Sequence, residues 1–376
     1  MGAAIVERYR AAFAGLPREV WAMALALFVN RCGTMVYPFL TIYFTSSCDL
    51  NEATAGMLVG VYGVGSVCGA YLGGVWTERW GAVRVQIVSL VLAAPVYWIT
   101  PFMHGVYSIG AALFTVSLLT AAVRPANATA IARLTDRANR ARAFALQRLA
   151  ANLGFSFGPA IGGWLAAYSY GLLFLVDGVT TLLGAVCLWH FFGWTLLPVE
   201  DADEPCAARG ASPLRDAPFA GYLALLLLGA IVFFQFGTTF PLYLRDRFAM
   251  SKPQIGMFFA VNTLTIVAFE MVLLDAVKNW RLIRTIAVGT ILSCVGFGIL
   301  PWGASGAFCV GALLVVTVGE MLSMPLGAAF VSQRAPDGHE ARYLGWNALT
   351  FSLGSVLGPT LGAALYAVRP EMVWYA

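Results

Sequence analysis

The stretch GFSFGPAIGG, Gly154–Gly163, returns in altered form as GSVLGPTLGA, Gly354–Ala363. The separation is 354 − 154 = 200 residues, and the same offset relates Gly56-Met57 to Gly256-Met257, Arg84 to Arg284, Pro125 to Pro325 and Arg142 to Arg342. One offset shared by so many positions marks an internal duplication, so the chain reads as two copies of one unit.

Composition says what kind of unit. Hydrophobic residues make up 60% of the 376 and charged residues only 11%, against about 25% charged in an ordinary soluble domain. Too few polar groups remain to coat a globule in water. Crossing a bilayer takes about 20 apolar residues, and eleven stretches of that kind run over 20–45, 54–76, 84–104, 106–130, 144–167, 170–195, 218–243, 253–276, 282–302, 305–330 and 343–367. Backbone in hydrocarbon must satisfy its own hydrogen bonds, and these stretches are far too long for strands, so they are helices. An all-α polytopic membrane protein is expected, with the lipid bilayer as its surroundings.

The net charge of +4 does not point to nucleic acid, because of where the charge sits. Arg79 and Arg84, Arg133, Arg137, Arg140 and Arg142, Arg209 and Arg215, Lys278, Arg281 and Arg284, and Arg334 and Arg342 fall at one set of turns, while the turns around SSCDLNEAT, PFMHG, AYSYG and PWGASG have none. Positive turns stay in the cytoplasm. The expected location is therefore the inner (plasma) membrane with the N-terminus cytoplasmic, and Met1–Val20 reads as a charged lead rather than a cleaved signal. RDRFAMSK, Arg245–Lys252, departs from the pattern with three positive charges on the other side.

The least apolar interval, PVEDADEPCAARGASPLRDAP, reads as a cytoplasmic linker. The units are then 1–197, a linker over 198–217, and 218–376. The offset aligns Phe174 of the sixth span with Trp374, so a twelfth helix is expected to begin at EMVWYA, with its remainder missing from this sequence. Seven scattered cysteines and three histidines (His104, His190, His339) show no metal-ligand spacing, so no metal or cofactor is expected.

Between the second and third spans lies GGVWTERWGAVR, in which Gly74, Glu78, Arg79 and Gly81 fill the places of a known glycine–acid–arginine–glycine signature. With the duplication, this resembles the major facilitator superfamily, which implies two six-helix bundles related by an axis along the membrane normal. The resemblance implies that Gly74 admits close helix approach, that Glu78 accepts from a neighbouring helix N-terminus, and that Arg79 pairs across the gap. Such a latch holds the halves together in one state and parts in the other. The second-half copy, LLDAVKNWRLIR, keeps Trp280 and Arg284 but has lost the glycines.

The opening stretch, read as NLGFSFGPAIGG, resembles the signature of drug:proton antiporters within that superfamily. Gly154, Gly158 and Gly162 share one helical face and Pro159 bends the helix, which implies a seal and pivot. Gly354, Gly358 and Pro359 are the second copy, and the two helices are expected to mate across the pseudo-two-fold axis. Where antiporters of this class carry an arginine upstream of Pro125, this chain has Leu113; Arg124 is the nearby alternative.

Ionisable groups inside spans are costly and functional by default. Glu320, within GEMLSMPLG, is the first choice for the proton-binding carboxylate. Arg31, within FVNRCGTMVYPFL, binds an anionic substrate group or stabilises Glu320. The local match of Gly33-Thr34 to Gly237-Thr238 pairs Arg31 with Gln235. Glu270 and Asp177 rank second, and Asn30, Tyr37, Asn262 and Asn347 supply polar contacts. With no nucleotide loop, nucleophile–base pair or metal set, an enzyme is not expected. The leading expectation is a monomeric proton-coupled exporter of small amphipathic or drug-like molecules working by alternating access. The alternative is a proton-coupled importer of small zwitterions such as short peptides or amino acids, since NR before a glycine and GE before a proline resemble the proton-dependent oligopeptide transporters. A receptor or lipid flippase on the same fold is a third class.

Overall fold

The computed structural model describes residues 13–194, 213–277, 279–336 and 340–375. The N-terminal lead before Phe13, most of the expected linker and His339 lie outside the described residues. The helices are α1 (Arg18–Cys32), α2 (Val36–Ser47), α3 (Glu52–Trp80), α4 (Ala82–Ile99), α5 (Val106–Leu134), α6 (Arg137–Tyr168), α7 (Tyr170–Phe192), α8 (Ala217–Phe234), α9 (Thr239–Phe248), α10 (Lys252–Val277), α11 (Leu282–Gly298), α12 (Gly306–Arg334), α13 (Glu340–Val368) and the short α14 (Met372–Tyr375).

Among the described residues, ten helical stretches are long and apolar enough to cross a membrane, with α1 and α2 together forming the first. The remaining expected span, the fifth at 144–167, falls inside α6. At 32 residues, α6 is longer than the roughly 20 a crossing needs, but Gln147, Arg148, Asn152, Ser156 and its glycines dilute its apolar character. It tolerates them because it packs on α1 on one side and α10 on the other.

Local chemistry sets the turns. Asn51 accepts from the Thr54 N–H at 2.8 Å to start α3, and Asp136 accepts from the Asn139 N–H at 2.9 Å to start α6, each satisfying an end donor. Gly81 stands between α3 and α4 at φ +88°, a conformation that L side chains adopt only under strain. The helices alternate between two ends of the bundle. One carries the turns at Asn51, Gly105, Ser169, Met250 and Ser305; the other carries those at Gly81, Thr135, Trp280 and Ala335.

Helices before residue 195 pack mainly on one another, as do those after 212; the main crossings between the groups are α3 with α13 and α6 with α10, with a smaller contact of α2 on α9 and the turn before it. At the Asn51 end a single buried cluster draws on both groups, including Phe39, Phe44, Leu58 and Phe174 with Phe240, Tyr243, Phe259 and Trp374. Toward the Gly81 end the core divides in two. Phe13, Val20, Val83, Ile131 and Leu188 fill one cluster, while Phe219, Leu223, Val331 and Tyr343 fill the other. The halves thus share one core at the Asn51 end and keep separate cores at the other.

Candidate functional site

The first span of each half is broken at a Gly-Thr pair. Between α1 and α2 the chain turns at Gly33-Thr34, and between α8 and α9 it passes through a 3-10 turn over Gln235–Gly237 before Thr238. A break frees backbone groups that need partners. In the first half the partner comes from α7: both carboxylate oxygens of buried Asp177 accept, from the Met35 N–H at 3.0 Å and the Val36 N–H at 3.1 Å. In the second half the span supplies its own. Gln235 donates to the Ile231 carbonyl at 2.9 Å and the Gly358 carbonyl at 2.8 Å, and accepts from the Thr239 hydroxyl at 2.8 Å. Gln235 is therefore occupied by the protein, tying the break to α13.

Polar groups of the second half gather in mid-span. Asn262 donates to Glu320 at 3.2 Å and to the Thr317 hydroxyl at 3.0 Å. Glu270, two turns further along α10 from Asn262, forms an ion pair of 2.5 Å with Arg148 of α6. The same arginine and Glu270 lie within electrostatic reach of Glu320. This joins two helices from different halves through charge. Arg148 was not among the expected site residues.

The first half presents the opposite sign. Arg31, at the end of α1, lies within electrostatic reach of Arg124 on α5 and of Tyr62 and Tyr97, and its Nε is buried with no hydrogen-bond partner. Tyr37 stacks at a tilt on Tyr62, centroids 5.4 Å apart, and packs against Gly237 of the other half. Asn30 donates to Thr181 at 3.4 Å. A cavity of about 20 Å³, lined by Thr34, Tyr37, Tyr62, Tyr97 and Asp177 among others, has room for roughly one water. The structure does not bring Arg31 to Glu320: Asn262, Arg148 and Glu270 surround that carboxylate instead. Asn347 stands apart, accepting from the Tyr222 hydroxyl at 3.1 Å.

The glycine–proline helices differ from expectation. They are not each other's packing partners; α6 packs on α1 and α10, α13 on α8 and α3. Gly154, Gly158 and Gly162 face α1 and the following turn, at Arg31, Thr34 and Met35, within one half. Their copies Gly354, Gly358 and Gly362 face Ala230, Phe234 and Gln235 in the same way. The reason is the break itself: a kinked first span needs a side-chain-free groove beside it. Across the seam the small residues come from the opposite helices. Gly256 sits against the Pro159 carbonyl and Gly56 against the Pro359 carbonyl.

Gly74 also differs from expectation, with nothing within 4 Å of where its side chain would start; Gly73 makes the close approach, to Ala122 of α5. Glu78 and Arg79 are exposed, and among the described residues no ion pair joins them to the other half.

The departing charges at Arg245–Lys252 clasp the fused end. Arg245 donates to Thr45 of the other half at 3.0 Å and pairs with Asp246 at 2.6 Å. Lys252 donates to the Ala166 carbonyl at 2.9 Å and lies 4.1 Å from the Tyr170 ring.

The sequence profile of the Major Facilitator Superfamily matches residues 23–359. The chain belongs to that superfamily. Its relatives include the class C tetracycline resistance protein of Escherichia coli, 26% identical with 83% of this chain and 80% of that protein covered. A Na(+), Li(+), K(+)/H(+) antiporter of Planococcus maritimus is 23% identical, with 88% and 85% covered. Among solved structures, a POT family transporter in complex with a thioalcohol-conjugated peptide superposes with a TM-score of 0.80 at 16% identity, covering 96% of this chain and 93% of that one. The major facilitator fold is thereby shown, and with it an integral membrane transporter of small molecules.

Proposed function

We propose that this chain is a monomeric, proton-coupled secondary transporter that exports small amphipathic or drug-like molecules by alternating access. It resides in the inner (plasma) membrane, as two bundles over 1–197 and 218–376 with the N-terminus and the Gly81 end cytoplasmic. On this orientation the end at which the halves keep separate cores faces inward, and the transport cleft opens there. The observation that carries the reading is the mid-span network of Asn262, Glu320 and Glu270 ion-paired to Arg148 of the other half. A carboxylate inside a membrane is held at a cost and marks an ion or proton path, and one whose charge state bonds the two halves ties protonation to their relative tilt. The tetracycline resistance and cation/proton antiporter relatives support export and proton exchange.

The test is Glu320→Gln in proteoliposomes with an imposed pH gradient. It should abolish substrate-driven proton movement while the purified protein stays monodisperse with its helix content intact; normal coupling would remove Glu320 from the mechanism. A proton-coupled importer of zwitterions is favoured by one feature, the basic pair Arg31 and Arg124 in one half and the acids Glu320 and Glu270 in the other. Dye and dipeptide panels run side by side separate the two directions.

A further inference from the structure

Two arginines in mid-membrane without a counter-charge among the described residues form a deficit that something must fill. Arg31 and Arg124 interact with each other, yet neither takes part in an ion pair or a hydrogen bond with the described residues, and the Arg31 Nε is buried without a partner. The acid nearest in mid-span in this half, Asp177, has both carboxylate oxygens committed to the Met35 and Val36 N–H groups. The mid-span acids of the other half are engaged by Asn262 and Arg148. A guanidinium carries five donors in a planar fork that matches an oxyanion, and leaving the Arg31 Nε buried and unpaired is costly.

We propose that Arg31 and Arg124 form a subsite for an oxyanion on the transported molecule, so that the carrier selects amphipathic compounds bearing a carboxylate or a comparable anionic group. The proposal rests on the cleft being the transport path and names the substrate class for it. Arg124 is exposed but interacts with Arg31, Tyr37 and Tyr62, all inward-facing, so its exposure is to the cleft and not to lipid. It is the arginine an entering anion meets first, and Arg31, a layer deeper at the break in the first span, completes the fork. Tyr62 and Tyr97 stand beside it as further hydroxyl donors. The glycine groove explains why Arg31 cannot withdraw: Gly154 packs on its Cβ and Gly158 on its carbonyl, which fixes the base of the side chain against α6.

The two xanthene dyes rhodamine 110 and rhodamine 123 differ only in that the first has a free carboxyl where the second has a methyl ester. Binding of each to the purified protein is read by fluorescence anisotropy. The free acid should bind about tenfold or more tightly than the ester, the range expected for charge-assisted hydrogen bonds. Arg124→Gln and Arg31→Gln should each erase most of that preference by weakening binding of the acid, while binding of the cationic ester is not weakened. Arg124→Gln carries the test if the more enclosed Arg31→Gln fails to purify intact. Equal or tighter binding of the ester, a preference that survives Arg124→Gln, or no binding of either dye overturns the subsite. Proton movement driven by the ester alone would sink the anion subsite and leave proton-coupled export standing. Retained preference for the acid with no proton movement would do the reverse.

Discussion

The two seams between the halves, α3 with α13 and α6 with α10, are built from the same backbone contact and differ in charge. In one, Gly56 meets the Pro359 carbonyl; in the other, Gly256 meets the Pro159 carbonyl, and the residue numbers differ by 200 in each case. Further along, the α6–α10 seam has the Arg148–Glu270 ion pair, whereas the positions 200 residues away from these two are Ala348 and Ala70. Close approach was duplicated and kept, while among the described residues an ion pair belongs to one seam alone. The shared part makes a joint that opens and closes; the unshared part can tell it when.

The largest expected effect tests the shared part. Gly256→Leu and Gly56→Leu each drive a side chain into backbone across the seam, an overpacking that costs about 1–3 kcal/mol. Both should unlatch the Asn51 end and cut transport by about tenfold or more, and by similar factors. Labelling of a Thr45→Cys variant by a membrane-impermeant thiol reagent reads the opening; if only one glycine matters, the seams are not equivalent. Next comes the unshared part. Arg148→Ala and Glu270→Ala should each lower the thermal midpoint of the purified protein, and the double variant should recover part of the loss, for a coupling of about 0.5–3 kcal/mol. Additive losses would mean that the pair does not act as a unit.

A smaller effect is expected at the clasp. Lys252→Met removes a hydrogen bond to Ala166 and a cation–π contact worth about 0.5–2 kcal/mol. It should raise labelling at Thr45→Cys without touching proton coupling. The smallest lies within one half, at the Gly81 end, where Arg334 donates to Asp216 at 2.8 and 2.9 Å. That bond holds the Asp216 carboxyl below the ordinary carboxylate range. A group so depressed contributes stability that is complete above its unfolded value, near 3.9, and is lost as pH falls through the lower folded value. Asp216→Asn should therefore reduce thermal stability slightly at neutral pH and not at all in strong acid, and should leave Thr45→Cys labelling unchanged because both partners move together.

Much of the frame was legible in the sequence. Length of apolar run fixes a crossing, and a constant offset fixes which helices are equivalent; both survive without knowledge of packing. Equivalence is not contact, however. The copies α6 and α13 occupy matching places, and for that reason each meets a different partner. Arg148 was missed because it sits in the first turns of the expected span 144–167, just past the cytoplasmic arginines Arg137, Arg140 and Arg142, and nothing in the sequence shows that its side chain meets Glu270 of the other half. Asp177 ranked only second, since nothing near it in sequence shows the break in the first span, where it caps the start of α2. Glu320 and Arg31 were legible as intramembrane charges, and their neighbours were not, because pairing depends on helix rotation, which a pattern of apolar residues this uniform leaves undetermined.

The crossed glycine–proline contact has a consequence for ancestry. Each half offers a glycine on its second crossing and a proline carbonyl on its fifth, and receives the mirror arrangement in return. That is the form of an isologous interface, self-complementary about a two-fold axis. Two unlinked copies of a half-length chain would have had everything needed to make it, and fusion freed one seam to gain a charge that a symmetric dimer would have been forced to carry twice.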